Sequence, residues 1–110
     1  CLAYVLYDYE ANDDDELSFQ EGQFIEVTEK HEDDWWYGRI QGGHQSGVFP
    51  MNYVSRVLQH EGTKYLMHIG SNEIFAPDDQ DVCLGIFDEA GQTLIDLSGK
   101  VISWASAKLL

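Results

Sequence analysis

An all-β fold is predicted for this chain of 110 residues, and three features of its sequence predict it. Aromatic and branched residues fall in short runs of roughly four to eight, the length of strands. Turn-forming residues divide the runs, including a Gly42-Gly43 pair between two alternating stretches. Five such strands fit into under sixty residues, as in a small closed or nearly closed barrel. Residues 58–110 continue in the same manner and are expected to form a second small β-rich module or one portion of a β-sandwich.

Leu2–Tyr9 reads as a strand ending in an exposed Tyr-x-Tyr pair, with Tyr7 and Tyr9 on one face. Glu10–Glu16 carries five acids and little that could be packed, so it is a loop; Leu17–Phe19 alternates and returns to the core. After a Gly22 turn, Phe24–Val27 is a strand with Phe24, Ile25 and Val27 available for burial, and Thr28–Asp34 is a polar loop. Trp35–Ile40 places Trp36, Gly38 and Ile40 on one face and Trp35, Tyr37 and Arg39 on the other. Only one of the adjacent indoles can join a core; Trp36 is assigned to structure and Trp35 to a surface beside Glu32, Asp33 and Asp34. Gln45–Phe49 is the partner strand, Pro50 stops it, Met51–Tyr53 turns, and Val54–Val57 is a last short strand.

Composition narrows the partners. Twenty acids against six Lys plus Arg give a formal net charge of −14, which repels nucleic acid and anionic bilayers and favours a basic partner. Cys1 and Cys83 have no metal-like spacing and make no disulfide framework, so a reducing, cytoplasmic setting is expected. No charged and then apolar leader and no long apolar run is present, so neither export nor membrane insertion is expected. A chain that opens on Cys1 and stops at Leu110 without a polar tail is expected to be part of something longer.

Five blocks now align with a known pattern: Val5-Leu-Tyr-Asp-Tyr9, Asp15-Glu-Leu-Ser-Phe19, Glu21-Gly22, Asp34-Trp-Trp36 and Gly47-Val-Phe-Pro-Met-Asn-Tyr-Val54. In this order and spacing they resemble an SH3 domain over residues 2–57. Val5 stands where Ala is commoner, and Met51 replaces the usual small residue after Pro50. The resemblance implies an SH3-like five-stranded barrel that binds proline-rich segments in the polyproline II conformation, a helix with little conformational entropy left to lose. It assigns the slots for PxxP prolines to Tyr7, Tyr9, Trp35, Pro50 and Tyr53, with Asn52 hydrogen-bonding a ligand carbonyl. It also implies a pocket for a basic flanking residue, in which Glu16 is the principal acid, Asp13, Asp14 and Asp15 stand beside it, and Glu32, Asp33 and Asp34 lie across. Affinity near the micromolar range, about −8 kcal/mol, would follow.

The implied function is a noncatalytic interaction module of an adaptor or scaffold in signalling or the cytoskeleton. The alternative is a structural segment of a larger assembly whose groove is not used for PxxP peptides. No nucleophile, base and orienter can be assembled into an enzyme site, no cofactor is implied, and with Pro50 and Pro77 alone the chain holds no PxxP ligand of its own.

In the second half, strands are expected at Tyr65–Ile69, Val82–Asp88, Thr93–Leu97 and Val101–Trp104, and Ala105–Leu110 could begin a helix. Asp81–Asp88 is similar to a strand of the PLAT and C2 type of lipid-associated β-sandwich, over too short a stretch to define membership. Asp78, Asp79 and Asp81 lack the Asp-x-Asp-x-Asp-Gly order of a calcium loop and read as solvated. His31, His44, His60 and His68 lack zinc-ligand spacing, and Cys83 reads as a small buried hydrophobe, so no metal site is expected.

Overall fold

The structure, a computed structural model, describes residues 1–31 and 33–110; Glu32, assigned above to the basic-residue pocket, lies outside the described residues. Contacts divide the chain into two units, Cys1–Ser55 and Arg56–Leu110. Regular structure is almost entirely strand, with a single 3-10 turn at Met51–Tyr53 among the described residues. No helix of the described residues is long and apolar enough to cross a membrane.

In the first unit, β1 (Leu2–Val5), β2 (Phe24–Lys30), β3 (Trp35–Ile40) and β4 (Ser46–Pro50) pair in sequence as an antiparallel meander. Period two explains its core. Ala3 and Val5, Ile25 and Val27, Trp36, and Phe49 point inward and are buried, joined by Leu6, Leu17, Phe19 and Val54. Trp36 is 6 % exposed, whereas its neighbour Trp35 stays half-buried on the opposite face. Phe24, expected inside, is half-buried and packs at the margin against Tyr4, ring centroids 5.4 Å apart. A Cβ at Gly38 would stand 2.6 Å from the Glu26 carbonyl oxygen, so β2 crosses β3 closely enough to require a bare Cα there.

Several boundaries differ from expectation for physical reasons. The first strand ends at Val5 rather than Tyr9, because the Leu6 N–H turns to the Tyr53 carbonyl (2.9 Å) and the Asp8 carboxylate accepts the Glu21 N–H (2.7 Å). Leu17–Phe19 is held by isolated bridges, Tyr9 with Phe19 and Glu16 with Val48, rather than by a continuous ladder. The second strand runs on to Lys30, past a bulge between Val27 and Glu29. The fourth is Ser46–Pro50 rather than Gln45–Phe49, with Pro50 as its last residue opposite Trp35.

β5 (Val54–His60) extends beyond Val57, and its Arg56–His60 portion belongs to the second unit. There it pairs with β6 (Thr63–Met67), which is followed by β7 (Glu73–Ala76), β8 (Asp79–Asp88), β9 (Thr93–Asp96) and β10 (Val101–Ser103), each antiparallel to the strand before. The core is Leu58, Met67, Ile74, Phe87, Leu94, Trp104 and Ala107, with Tyr65, Leu84 and Leu109 packed on it. His60 stacks on Trp104 and His68 on Phe75, centroids 4.2 Å apart in both cases, so these two histidines are packed. Cys83 is half-buried, its Sγ 3.8 Å from both the Glu73 carboxylate and the Gly85 carbonyl.

In this unit the expected strands Tyr65–Ile69 and Val82–Asp88 lie instead at Thr63–Met67 and Asp79–Asp88, and the C-terminal expectation is corrected. Ala105–Leu110 begins no helix: Lys108–Leu109 forms β11, paired to Gln59 and Leu58 of β5, and the Leu110 N–H donates to the Val57 carbonyl at 2.9 Å. Backbone pairing with β5 and the packing of half-buried Leu109 on the core outweigh the weak local helix preference. β7 was not anticipated at all. At the turn after β9, the Asp96 carboxylate accepts the Ser98 N–H and hydroxyl (3.0 and 2.6 Å) and the Lys100 N–H (2.9 Å), bonds that hold it below the usual carboxylate range, Ser98 first.

Candidate peptide-binding site

Tyr9 and Tyr53 form the centre of an aromatic row on the first unit. Their centroids lie 5.2 Å apart with planes at 72°; Tyr7 meets Tyr53 edge-on at 6.0 Å, and Trp35 meets Tyr9 at 6.4 Å. Such edge-to-face contacts fix ring orientation without burying the faces. Tyr7 is 58 % exposed, and Tyr9, Trp35, Pro50 and Tyr53 are half-buried. Tyr9 and Tyr53 are anchored from beneath by Phe19, which lies 6.4 Å from Tyr53. Phe19 lies 5.5 Å from Tyr9 and 5.8 Å from buried Phe49, so the row stands on the core. Trp35 projects from β3 directly opposite Pro50, and Asp34 enters the strand at φ 65°, its carbonyl accepting the Met51 N–H at 3.0 Å. That bond ties the 3-10 turn carrying Asn52 and Tyr53 to the base of Trp35. Asn52 is exposed. The structure thus brings Tyr7, Tyr9, Trp35 and Tyr53 into one row, with Pro50 and Asn52 at its Trp35 side.

The acidic loop is fastened to β4 by two backbone bonds, Leu17 N–H to the Val48 carbonyl (2.8 Å) and Val48 N–H to the Asp15 carbonyl (2.9 Å). The two chains approach so closely that a Cβ at Gly47 would stand 2.7 Å from the Asp15 carbonyl oxygen and 2.9 Å from the Leu17 nitrogen. Between this loop and Trp35 lies a concavity of about 390 Å³ lined by Asp13, Asp15, Glu16, His31, Asp33, Trp35 and Val48. Of the acids assigned to the pocket, Asp14 instead lines a neighbouring 260 Å³ depression with Glu16 and Gln45, and Asp34 is in neither lining. Sequence reasoning missed His31. Its signal was its position at the start of the acidic turn that faces Trp35.

The Tyr9 hydroxyl donates a short hydrogen bond to Glu16 Oε1, which also accepts the Asn12 N–H at 3.3 Å. This bond, then desolvation, pushes the Tyr9 phenol up to about 12. It also holds the Glu16 carboxyl below its usual range. Asp13 moves the other way, raised first by its hydrogen bond to Glu16 and then by that carboxylate's charge. At neutral pH Glu16 is therefore an ionised, positioned acceptor and Tyr9 a neutral donor. Oxygens of Asp13, Asp15 and Glu16 lie within 4.8 Å of one another, the one such grouping among the described residues; Asp78, Asp79 and Asp81 do not converge in this way. An array of this kind can hold a planar or compact cation beside an aromatic ring.

Residues 4–51 match the family model of the SH3 domain, and this part of the chain is an SH3 domain, a protein-interaction module. Over 54 residues the chain is 50 % identical to mouse intersectin-1, covering 49 % of this chain and 3 % of that protein. It is 44 % identical over 54 residues to the class E vacuolar protein-sorting machinery protein HSE1 of Saccharomyces cerevisiae, covering 49 % of this chain and 12 % of that protein. The chain thus spans only a small fraction of these relatives. Among solved structures, the SH3 domain of the yeast actin-binding protein Abp1 is 44 % identical over 50 % of this chain and 95 % of that one, with a TM-score of 0.48.

Proposed function

We propose that residues 2–57 bind proline-rich segments of other proteins in the polyproline II conformation, with a basic residue flanking the prolines, as the recruiting module of an adaptor or scaffold. The single observation that carries this reading is the row Tyr7–Tyr53–Tyr9–Trp35, whose rings are fixed edge to face and remain open to solvent. A helix with three residues per turn presents prolines along one edge, and flat, immobile rings grip that edge at low entropic cost. Asn52 and Tyr53 supply polar contacts to ligand carbonyls, and Pro50 walls the slot beside Trp35. The ligand's Arg or Lys enters between Trp35 and the acids Asp13, Asp15, Glu16 and Asp33. Asp14 and Asp34 add to the field around that pocket. Residues 58–110 form a separate β-rich module. Two unpaired cysteines accord with a reducing, cytoplasmic setting.

The test is a titration with a PxxP peptide ending in Arg, followed by amide chemical shifts. Shifts at Tyr7, Tyr9, Trp35 and Tyr53 are expected, and Trp35→Lys is expected to weaken binding at least about 30-fold, roughly 2 kcal/mol, with the fold retained. Unmoved shifts at millimolar peptide would reject the reading.

A further inference from the structure

The pocket beside Trp35 contains one group whose charge can change near neutral pH. Its lining carboxylates come from Asp13, Asp15, Glu16 and Asp33, whereas histidine is the side chain that ordinarily gains or loses a proton between pH 5 and 8. His31 lines the same concavity and is exposed, its side chain retaining 47 % of its accessible surface. Its position is set from both sides. The His31 N–H donates to the Trp35 carbonyl at 3.1 Å, closing the turn from which Trp35 emerges, and Nε2 lies 3.6 Å from Glu29 Oε2.

We propose that His31 is a specificity-determining residue of the cation pocket: neutral, it leaves the four carboxylates to the ligand's basic side chain, and protonated, it competes with that side chain for them. This rests on the peptide-binding reading above. The charged groups around the imidazole are Asp13, Asp15 and Glu16 from the acidic loop, Asp33 from its own turn, and Glu29 from the end of β2, with Lys30 adjacent in the chain and set over the Trp36 ring at 5.0 Å. Glu29 and the carboxylates hold the imidazolium in place once it forms. An incoming guanidinium then meets a like charge a few ångströms away, which in a solvent-exposed site corresponds to roughly a threefold loss of affinity. The module therefore prefers cation-flanked ligands at neutral pH and discriminates less in their favour when acidified. Coupling is reciprocal, so a bound cation lowers the proton affinity of His31 by the same factor.

The experiment compares two proline-rich peptides, identical except for a terminal Arg or its neutral isostere citrulline, binding to the full chain and to H31Q at pH 7.5 and 5.5. For the unmodified chain, the Arg peptide is expected to weaken about threefold between the two pH values and the citrulline peptide to stay level. In H31Q the weakening is expected to shrink to whatever carboxylate protonation contributes, Asp13 first. Saturating Arg peptide is also expected to shift the titration of the His31 Cε1 proton to lower pH. An equal pH response in the unmodified chain and H31Q, or an unmoved His31 titration, overturns the role of His31 while leaving peptide binding standing. Failure of both peptides to bind overturns both readings.

Discussion

Replacing Gly47 by Ala tests whether the acidic loop depends on its close approach to β4. Gly47 has an ordinary backbone conformation, so space alone makes it necessary. The added methyl carbon would stand 2.7, 2.8 and 2.9 Å from the Asp15 oxygen, the Glu16 carbonyl carbon and the Leu17 nitrogen, all backbone atoms that cannot rotate away. Relief requires the loop to retreat by roughly half an ångström or more, stretching the Leu17–Val48 and Val48–Asp15 bonds. Two backbone hydrogen bonds contribute about 1–3 kcal/mol together, and overpacking costs about 1–3 kcal/mol. Because the retreat that relieves the clash is the one that stretches the bonds, the two overlap, and a loss of about 3 kcal/mol is expected. Amide hydrogen exchange is the suitable assay, since Trp104 of the second unit would mix into a fluorescence transition. Leu17 and Val48 are expected to lose protection first, and the preference for Arg over citrulline is expected to fall as Asp13, Asp15 and Glu16 leave the pocket. A change within about 0.5 kcal/mol, with Leu17 and Val48 still protected, would refute the argument.

Other expectations follow from the same residues. Spectrophotometric titration is expected to show one tyrosine, Tyr9, ionising at about 12, and Glu16→Gln is expected to return it toward 10.0. The raised value means that the Tyr9 contribution to stability is present below pH 10.0 and is lost as pH rises through about 12. Glu16 has the opposite sign: its contribution is present above its ordinary 4.5 and is lost as pH falls through its lowered folded value, a loss that Tyr9→Phe is expected to reduce in acid unfolding curves. Asp13→Ala removes a donor that lowers Glu16, so carboxyl NMR is expected to place Glu16 higher in that variant. In the second unit, Phe87→Ala is expected to destabilise by about 3–5 kcal/mol, read as faster exchange across β6 to β9.

Where local pattern and burial coincide, the sequence was legible. Trp35–Ile40 has the predicted bounds and faces because a strand with one buried side leaves no alternative for two adjacent indoles. The aromatic row was legible through the motif order rather than through hydropathy, since Tyr7 and Tyr9 look alike in composition yet one is exposed and the other half-buried. Three failures share a cause. β7 is four residues long with only Ile74 buried, too short for alternation to register. β11 exists only because β5 offers it a ladder, a partner more than forty residues away in sequence. His31 entered the pocket through the return of a turn, which no periodicity reports.

The two indoles of β3 also bear on how such a surface can diversify. Inserting one residue within Trp35–Ile40 would exchange inside for outside along the remainder of the strand, so that stretch is closed to length variation. The acidic loop and the turn before Trp35 carry the pocket charges on connections whose length no ladder dictates. A descendant can therefore gain or drop carboxylates, or lengthen either connection, while the grip on the ligand backbone stays as it was. Changing which sequences are chosen and keeping the means of holding them are, in this architecture, separately inherited.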